Sequence, residues 1–241
     1  MFFAAVGQIC DANTALRKND KRTGTPATIA TDRSKGGTAV KTDILILVPA
    51  AGASSRMHGR DKLLECVGGE ALLRRQVRAA GASGTQVLVL VTLPRHAAGP
   101  RSEQLDALPR LKVAYVDPAE GMAASLRAGA AAARVAGARG LMVLLPDMPD
   151  IETGDVVRMI EAFAKAPDRC LRATTEDGRP GHPVLFPARL FPALEAVAGD
   201  TGGRDMLAAE TVCPVILPGE RAVTDLDTPD AWAAWRARSG H

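Results

Sequence analysis

Three stretches of the chain carry residues whose chemistry exceeds what a plain turn requires. The first follows the apolar run Ile44–Pro49 and reads Ala50-Ala51-Gly52-Ala53-Ser54-Ser55-Arg56-Met57-His58-Gly59-Arg60-Asp61-Lys62. Small residues let a backbone approach a ligand closely, and exposed amides with the hydroxyls of Ser54 and Ser55 suit phosphate oxygens. Arg56 and Lys62 add fixed positive charge. The second stretch, Pro146-Asp147-Met148-Pro149-Asp150, follows the run LMVLL. A carboxylate just past a buried strand is costly unless solvated or paired, and a cation is a natural partner. Asp150 fits a turn before a helix better, because Thr153 and Asp155 resemble helix-start residues. The third stretch is Thr224-Asp225-Leu226-Asp227-Thr228-Pro229-Asp230. Thr228 as N-cap, Pro229 in the first turn and Asp230 near the same end account for a helix start. Asp225 and Asp227 remain available. With Asp147 they form a donor set suited to Mg²⁺, which binds few carboxylates and takes its other ligands from phosphates and water. Each stretch taken alone also has a structural reading, as a tight turn or a cap. No GxxxxGK[ST] is present and no GxGxxG follows the first strand, so two other phosphate loops are excluded.

Something must bring these stretches together. Short apolar runs at 44–49, 86–92, 112–116, 141–145, 183–186 and 214–217 read as buried strands, and periodic segments at 71–80, 121–136, 153–165 and 188–197 read as helices. Their alternation predicts an α/β fold: a single-domain, Rossmann-like, mostly parallel sheet with helices on both faces. In such sheets ligands bind beyond the carboxyl ends of the strands. The first two charged stretches fall there.

Composition narrows the function classes. Residues 1–42 hold 7 Lys+Arg against 3 Asp+Glu, whereas the rest of the chain holds 23 against 24. The net charge of +3 therefore arises in the N-terminal segment, and the body offers no electrostatic footprint for nucleic acid. Aromatic residues at 3% leave few base-stacking platforms. No apolar run reaches the roughly 18–20 residues of a membrane span. Cys10, Cys66, Cys170 and Cys213 form no CxxC, which argues against a zinc site or a disulfide framework and for the reducing cytoplasm. The start MFFAAVGQIC lacks a basic leader and a cleavage motif. Residues 1–42 read as a disordered extension and 43–241 as the folded domain.

In this order the motifs AAGASSRMHGRDK (50–62), EGMAASL (120–126), LLPDMP (144–149), GHPVLF (181–186), GDTGGR (199–204) and DLDTPDAW (225–232) resemble a nucleotidyltransferase family. That family includes molybdenum cofactor cytidylyltransferases and molybdopterin-guanine dinucleotide synthases, and the resemblance covers about residues 43–238. It implies a nucleotide-diphospho-sugar-transferase-like fold and a Mg²⁺-dependent transfer of NMP from an NTP to a phosphorylated, molybdopterin-type acceptor, with release of pyrophosphate. Ala51, Gly52, Ser54 and Ser55 would cradle the nucleotide, with Arg56 and Lys62 on its phosphates and Gly121 and Ser125 near the nucleoside. Asp147 and Asp227 match the metal-binding acids, and Arg56, Lys62 and Asp147 the catalytic set. His182, Asp200 and Arg204 fall near the acceptor. The AAG opening is closer to the cytidylyl members than to the AGG of guanylyl members, which favours CTP. A molybdoenzyme or its chaperone is implied as a transient partner. The nucleotide loops are shared with enzymes that use sugar-phosphate or alcohol-phosphate acceptors, and a non-catalytic nucleotide-binding protein is the alternative from another class. The chain departs from the family pattern at His58, usually glycine, at Pro49, commonly leucine, and at Gly203, usually alanine.

Overall fold

The computed structural model describes residues 43–96, 99–199 and 202–241. The extension expected over 1–42, and Asp200, lie outside the described residues. In chain order the elements are β1 (Ile44–Pro49), β2 (Cys66–Val67), β3 (Glu70–Ala71), α1 (Leu72–Gly81), β4 (Val87–Pro94), α2 (Gly99–Glu103), β5 (Leu111–Val116) and α3 (Gly121–Val135). There follow β6 (Gly140–Val143), α4 (Thr153–Lys165), β7 (Cys170–Thr174), β8 (Pro180–Pro187), α5 (Phe191–Glu195), α6 (Gly202–Ala208), β9 (Val212–Ile216) and α7 (Pro229–Ser239).

Seven strands form one sheet in the order β5-β4-β1-β6-β8-β7-β9, parallel except for β8, which runs antiparallel to both neighbours. The alternation of β1 shows why the sheet is covered twice. Ile44, Ile46 and Val48 join the core under α1 and α4, while Leu45 and Leu47 join the core under α3 and α5; none of the five is more than 2% exposed. Each such side chain contributes about 1.5–3 kcal/mol on burial. Gly129 lets α3 lie close to β1, since a Cβ there would come within 2.8 Å of Leu47. No helix among the described residues is long and apolar enough to cross a membrane.

From β1 the chain moves outward through β4 to β5, then returns through α3 to β6 on the other side of β1. The carboxyl ends of β1 and β6 therefore flank the point where the winding reverses, the usual ligand crevice of an open α/β sheet.

Most expected elements are present with shifted ends. The segment expected as one helix over 188–197 is a 3-10 turn at Ala188–Leu190 followed by the short α5, with Pro192 in its first turn. A proline has no amide to continue the preceding turn, so the helix starts afresh there. β7, the β2–β3 hairpin, α2 and α6 were not signalled by periodicity. α7 begins as its sequence suggests: Thr228 accepts from the Ala231 amide at 3.2 Å, with Pro229 in the first turn. Glu152 and Asp155 form a reciprocal capping box at the start of α4.

Gly181 marks a close approach of two backbones. The His182 amide donates to the Ala222 carbonyl at 2.8 Å, and a Cβ on Gly181 would stand 1.7 Å from that same oxygen. Overpacking of this kind costs typically 1–3 kcal/mol or more, and in a domain of this size each kcal/mol lowers Tm by about 2–4 °C. Gly181→Ala is expected to lower the melting temperature by at least about 3 °C. An unchanged melting curve would show that the β8 start and the Ala222 loop do not meet in this way.

Candidate active site

The three charged stretches meet. β1 ends at the small-residue loop, whose backbone makes a 3-10 turn at Ser55–Met57 and a second at Lys62–Leu64. Lys62 stands between two carboxylates: its Nζ is 2.5 Å from Asp147 Oδ2 and 2.5 Å from Asp227 Oδ1. Arg56 Nη2 reaches the other oxygen of Asp227, also at 2.5 Å. Lys62, Asp147 and Asp227 are each less than one-fifth exposed, while Arg56 is largely in solvent. The Leu226 amide donates to the Asp147 carbonyl at 3.0 Å, stitching the two acidic loops together.

Burial works against the Lys62 ammonium, but the charges and hydrogen bonds of Asp147 and Asp227 outweigh it and raise its pKa above the ordinary lysine value. Burial likewise pushes the Asp227 carboxyl up, and Lys62 and Arg56 more than reverse this, so it is held below the usual carboxylate range. Asp225 goes the other way. Its burial and the neighbouring charges of Asp227 and Asp147 raise it.

Two cations and three carboxylates leave this centre one negative charge, an unsuitable receptor for a polyanion. A divalent cation reverses that sign. Asp147 Oδ1 is buried and has no hydrogen-bond partner while Oδ2 serves Lys62, so a hard oxygen donor is left over. Among the described residues there is no cluster of three or more His, Cys, Asp or Glu arranged around one point for a metal. A hard divalent cation that takes one or two carboxylates, with phosphates and water for the rest of its shell, is the kind of ion that the free Asp147 oxygen suits.

A cleft of about 270 Å³ opens beside this centre, lined by Ala51, Gly52, Arg56, Gly121, Ser125 and Asp147 among others. Of the residues expected around a nucleotide, Ala51, Gly52, Arg56, Lys62, Gly121 and Ser125 line this cavity, and Ser54 and Ser55 do not. Ser55 is exposed on the loop. The two remaining hydroxyls have partners within the protein: Ser54 Oγ donates to Asp61 Oδ1 at 3.2 Å, and Ser125 Oγ lies 2.8 Å from Thr92 Oγ1. His58, where the family usually has glycine, adopts φ 51° and ψ 47°. The position thus requires the left-handed region, which costs a non-glycine residue roughly 1–2 kcal/mol.

Of the residues expected near an acceptor, His182 and Arg204 do not line this cleft, and Asp200 lies outside the described residues. His182 lies at the start of β8, where burial followed by the Arg172 charge brings its pKa down to about 4, the Val143 backbone opposing the shift. Its Nδ1 is buried and unpartnered. Arg204 is exposed on α6 and lines a groove of about 400 Å³ with Arg172, Thr174 and Pro180. Burial, and then the charge of Arg204, lowers the Arg172 pKa. Arg172 was not singled out from the sequence because it sits in a strand whose apolar pattern it interrupts. Arg101, Gln76 and Met57 were missed as well. Gln76, fully buried in α1, donates to the Met148 and Ile151 carbonyls and so pins the turn after Asp147. Met57 is buried among Trp232, Trp235 and Leu226, which ties the loop after β1 to α7. Asp150 accepts from the Trp235 indole at 2.8 Å, in keeping with a structural place for it.

Comparison with known proteins bears on the family and the fold. A curated relative from Opitutus terrae, named "Probable molybdenum cofactor guanylyltransferase", is 37% identical over 121 residues, covering 45% of this chain and 52% of that protein. The chain thus spans about half the length of the curated relative it matches. The crystal structure of Rv0371c from Mycobacterium tuberculosis superposes with a TM-score of 0.67 at 29% identity, over 81% of this chain and 98% of that one. The same protein has been solved as a complex with manganese. The 4-diphosphocytidyl-2C-methyl-D-erythritol synthase of Anaerococcus prevotii gives a TM-score of 0.64 at 12% identity, over 84% and 98% of the two chains, a likeness of fold alone. Residues 46–213 match the model of the MobA-like NTP transferase domain, and the chain belongs to that nucleotidyltransferase family.

Proposed function

We propose that this chain transfers CMP from CTP to the phosphate of a molybdopterin-type acceptor, releasing pyrophosphate, with Mg²⁺ as its metal. The observation that carries the reading is the Lys62 ammonium held between Asp147 and Asp227 at the mouth of a glycine-lined cleft. Asp147 and Asp227 would hold the metal, which when bound supplies positive charge to the reacting phosphates. Everything else falls to the protein. The loop at Ala51 and Gly52 receives the phosphates. Lys62, held between the two carboxylates beside the cleft, would offer its ammonium to the triphosphate. Arg56, already exposed, stabilises the departing pyrophosphate. The acceptor oxygen is anionic near neutral pH, so attack in line on the α-phosphorus needs no strong general base. Positioning and charge stabilisation account for the rate. His182 is neutral at that pH and serves as a fixed hydrogen-bonding group, with Arg204 and Asp200 on the acceptor side.

The AAG opening favours CTP, while the name of the Opitutus terrae relative favours GTP as the second reading. The wide spacing of Cys10, Cys66, Cys170 and Cys213, with no CxxC, is consistent with a cytoplasmic setting, and a molybdoenzyme or its chaperone is the recipient this reading calls for. Pyrophosphate release should be followed with each NTP, with and without the pterin acceptor. Release from CTP that requires the pterin is expected. Release from GTP replaces the nucleotide, release with a sugar phosphate replaces the acceptor, and nucleotide binding without release contradicts catalysis. Removing one electrostatic group of this kind costs about 10²- to 10³-fold in rate, so Lys62→Ala is expected to lose that much with the fold intact. Wild-type turnover in that variant would remove Lys62 from the mechanism.

His182 sets a pH dependence of stability. Its folded pKa of about 4 lies below the ordinary 6.5, so between those values the unfolded chain binds a proton that the folded one does not. Stability from this residue is present above about pH 6.5 and falls as the pH drops towards about 4. The melting temperature of His182→Gln relative to wild type should therefore rise across that interval as pH is lowered. Parallel curves would contradict the buried neutral imidazole.

A further inference from the structure

Arg101 lies outside every motif described above, yet it is the most deeply buried charged side chain near the cleft, with only 5% of its surface exposed. It is carried on α2, which follows β4 at the carboxyl edge of the sheet. That segment is fixed from two sides: Leu105 enters the core, and Arg74 of α1 donates to the carbonyls of Gln104 and Asp106. The guanidinium makes a fork on Asp61, with Nε 2.6 Å from Oδ2 and Nη2 2.9 Å from Oδ1. Nη1 donates to the Ala50 carbonyl at 2.6 Å and Nη2 also reaches Ser54 Oγ at 3.3 Å. Each of its three nitrogens is thus engaged beneath the loop, and none is offered to the cleft.

The three places it touches are the three points that define the phosphate loop. Ala50 is where β1 ends. Ser54 is the left-handed residue, at φ 51°, from which the first 3-10 turn starts. Asp61 caps the second turn by accepting from the Leu63 amide at 3.0 Å, and Lys62 is the first residue of that turn. A buried arginine needs a carboxylate and carbonyls to be tolerated, and only guanidinium has the planar fork to bind all of them at once. We propose that Arg101 is a positioning residue for nucleotidyl transfer: through Asp61 and Ser54 it holds the loop in the shape that aims Lys62 at the triphosphate before any nucleotide arrives. This rests on the role given to Lys62 in the proposed reaction.

Lysine at position 101 keeps the charge but cannot make the fork. A misplacement of about 1 Å in a catalytic group can cost 10²-fold, so Arg101→Lys is expected to lower kcat/KM for the nucleotide by about 10- to 100-fold. Asp61→Asn, which keeps an acceptor for the Leu63 amide, is expected to do the same, and the double variant to be no worse than either alone. The deciding measurement is the same substitution in a Lys62→Ala background. If Arg101 acts by aiming Lys62, Arg101→Lys should there cost less than about threefold. An equal loss in both backgrounds would overturn the proposal, since it would mean that Arg101 supports the domain generally. If Arg101→Lys fails to fold by circular dichroism, Asp61→Asn in the two backgrounds gives the same decision. Should Lys62→Ala itself leave turnover unchanged, the proposed reaction fails rather than the Arg101 linkage, so the two failures are distinguishable.

Discussion

The structure depends on keeping Asp147 and Asp227, which arrive on loops 80 positions apart in sequence, charged and close together. Near a protein surface a pair of unit charges about 4 Å apart interacts by about 4 kcal/mol, against about 1 kcal/mol net for a neutral hydrogen bond. Charge balance therefore decides whether the two loops can share one place, and hydrogen bonds only refine how. Lys62 supplies the balance, bonded to both carboxylates at once. Asp225, nearby and without such a cation, has its pKa raised instead.

The rest of the molecule can be understood as support for that contact. The sheet places the ends of β1 and β6 side by side. Gln76 from α1 and Trp235 from α7 hold the turn that follows Asp147, and the Leu226 amide fixes the third loop to it. Two clamps of opposite chemistry hold the loop after β1: an apolar one, in which Met57 sits among the two tryptophans of α7, and an ionic one, in which Arg101 grips Asp61. The two tryptophan rings also meet edge to face, with an interplanar angle of 80° and centroids 6.0 Å apart. The apolar clamp gains from burial and is indifferent to direction, whereas the ionic one fixes direction.

Much of this was legible in the residues. ILILVP could hardly be anything but a strand buried on both faces, and the position of AAGASSR and LLPDMP directly after strands put them on one edge. Thr228-Pro229 announced the start of α7. What stayed hidden has physical reasons. β7 was not seen because Arg172 interrupts its apolar run and its register depends on partners distant in sequence. The helix expected over 188–197 split because Pro192 has no amide to carry the turn onward. Arg101 was silent because its value comes from desolvation and from three partners in other segments, none of which leaves a local pattern. The glycine of GHP could be noticed, but its reason, the Ala222 carbonyl pressed against it, belongs to tertiary structure alone. Sequence pattern reveals what a residue can do; pairing across the fold decides what it does.

The central claim is that Lys62, Asp147 and Asp227 surround a single metal–triphosphate. A crystal structure with a non-hydrolysable CTP analogue and Mn²⁺, the ion located by its anomalous scattering, tests this most directly. The account predicts the ion against Asp147 and Asp227, the triphosphate along the loop at Gly52, and the Lys62 ammonium moved from the carboxylates to a phosphate oxygen. An ion bound elsewhere, or Lys62 still bridging the two aspartates with nucleotide in the cleft, would contradict it.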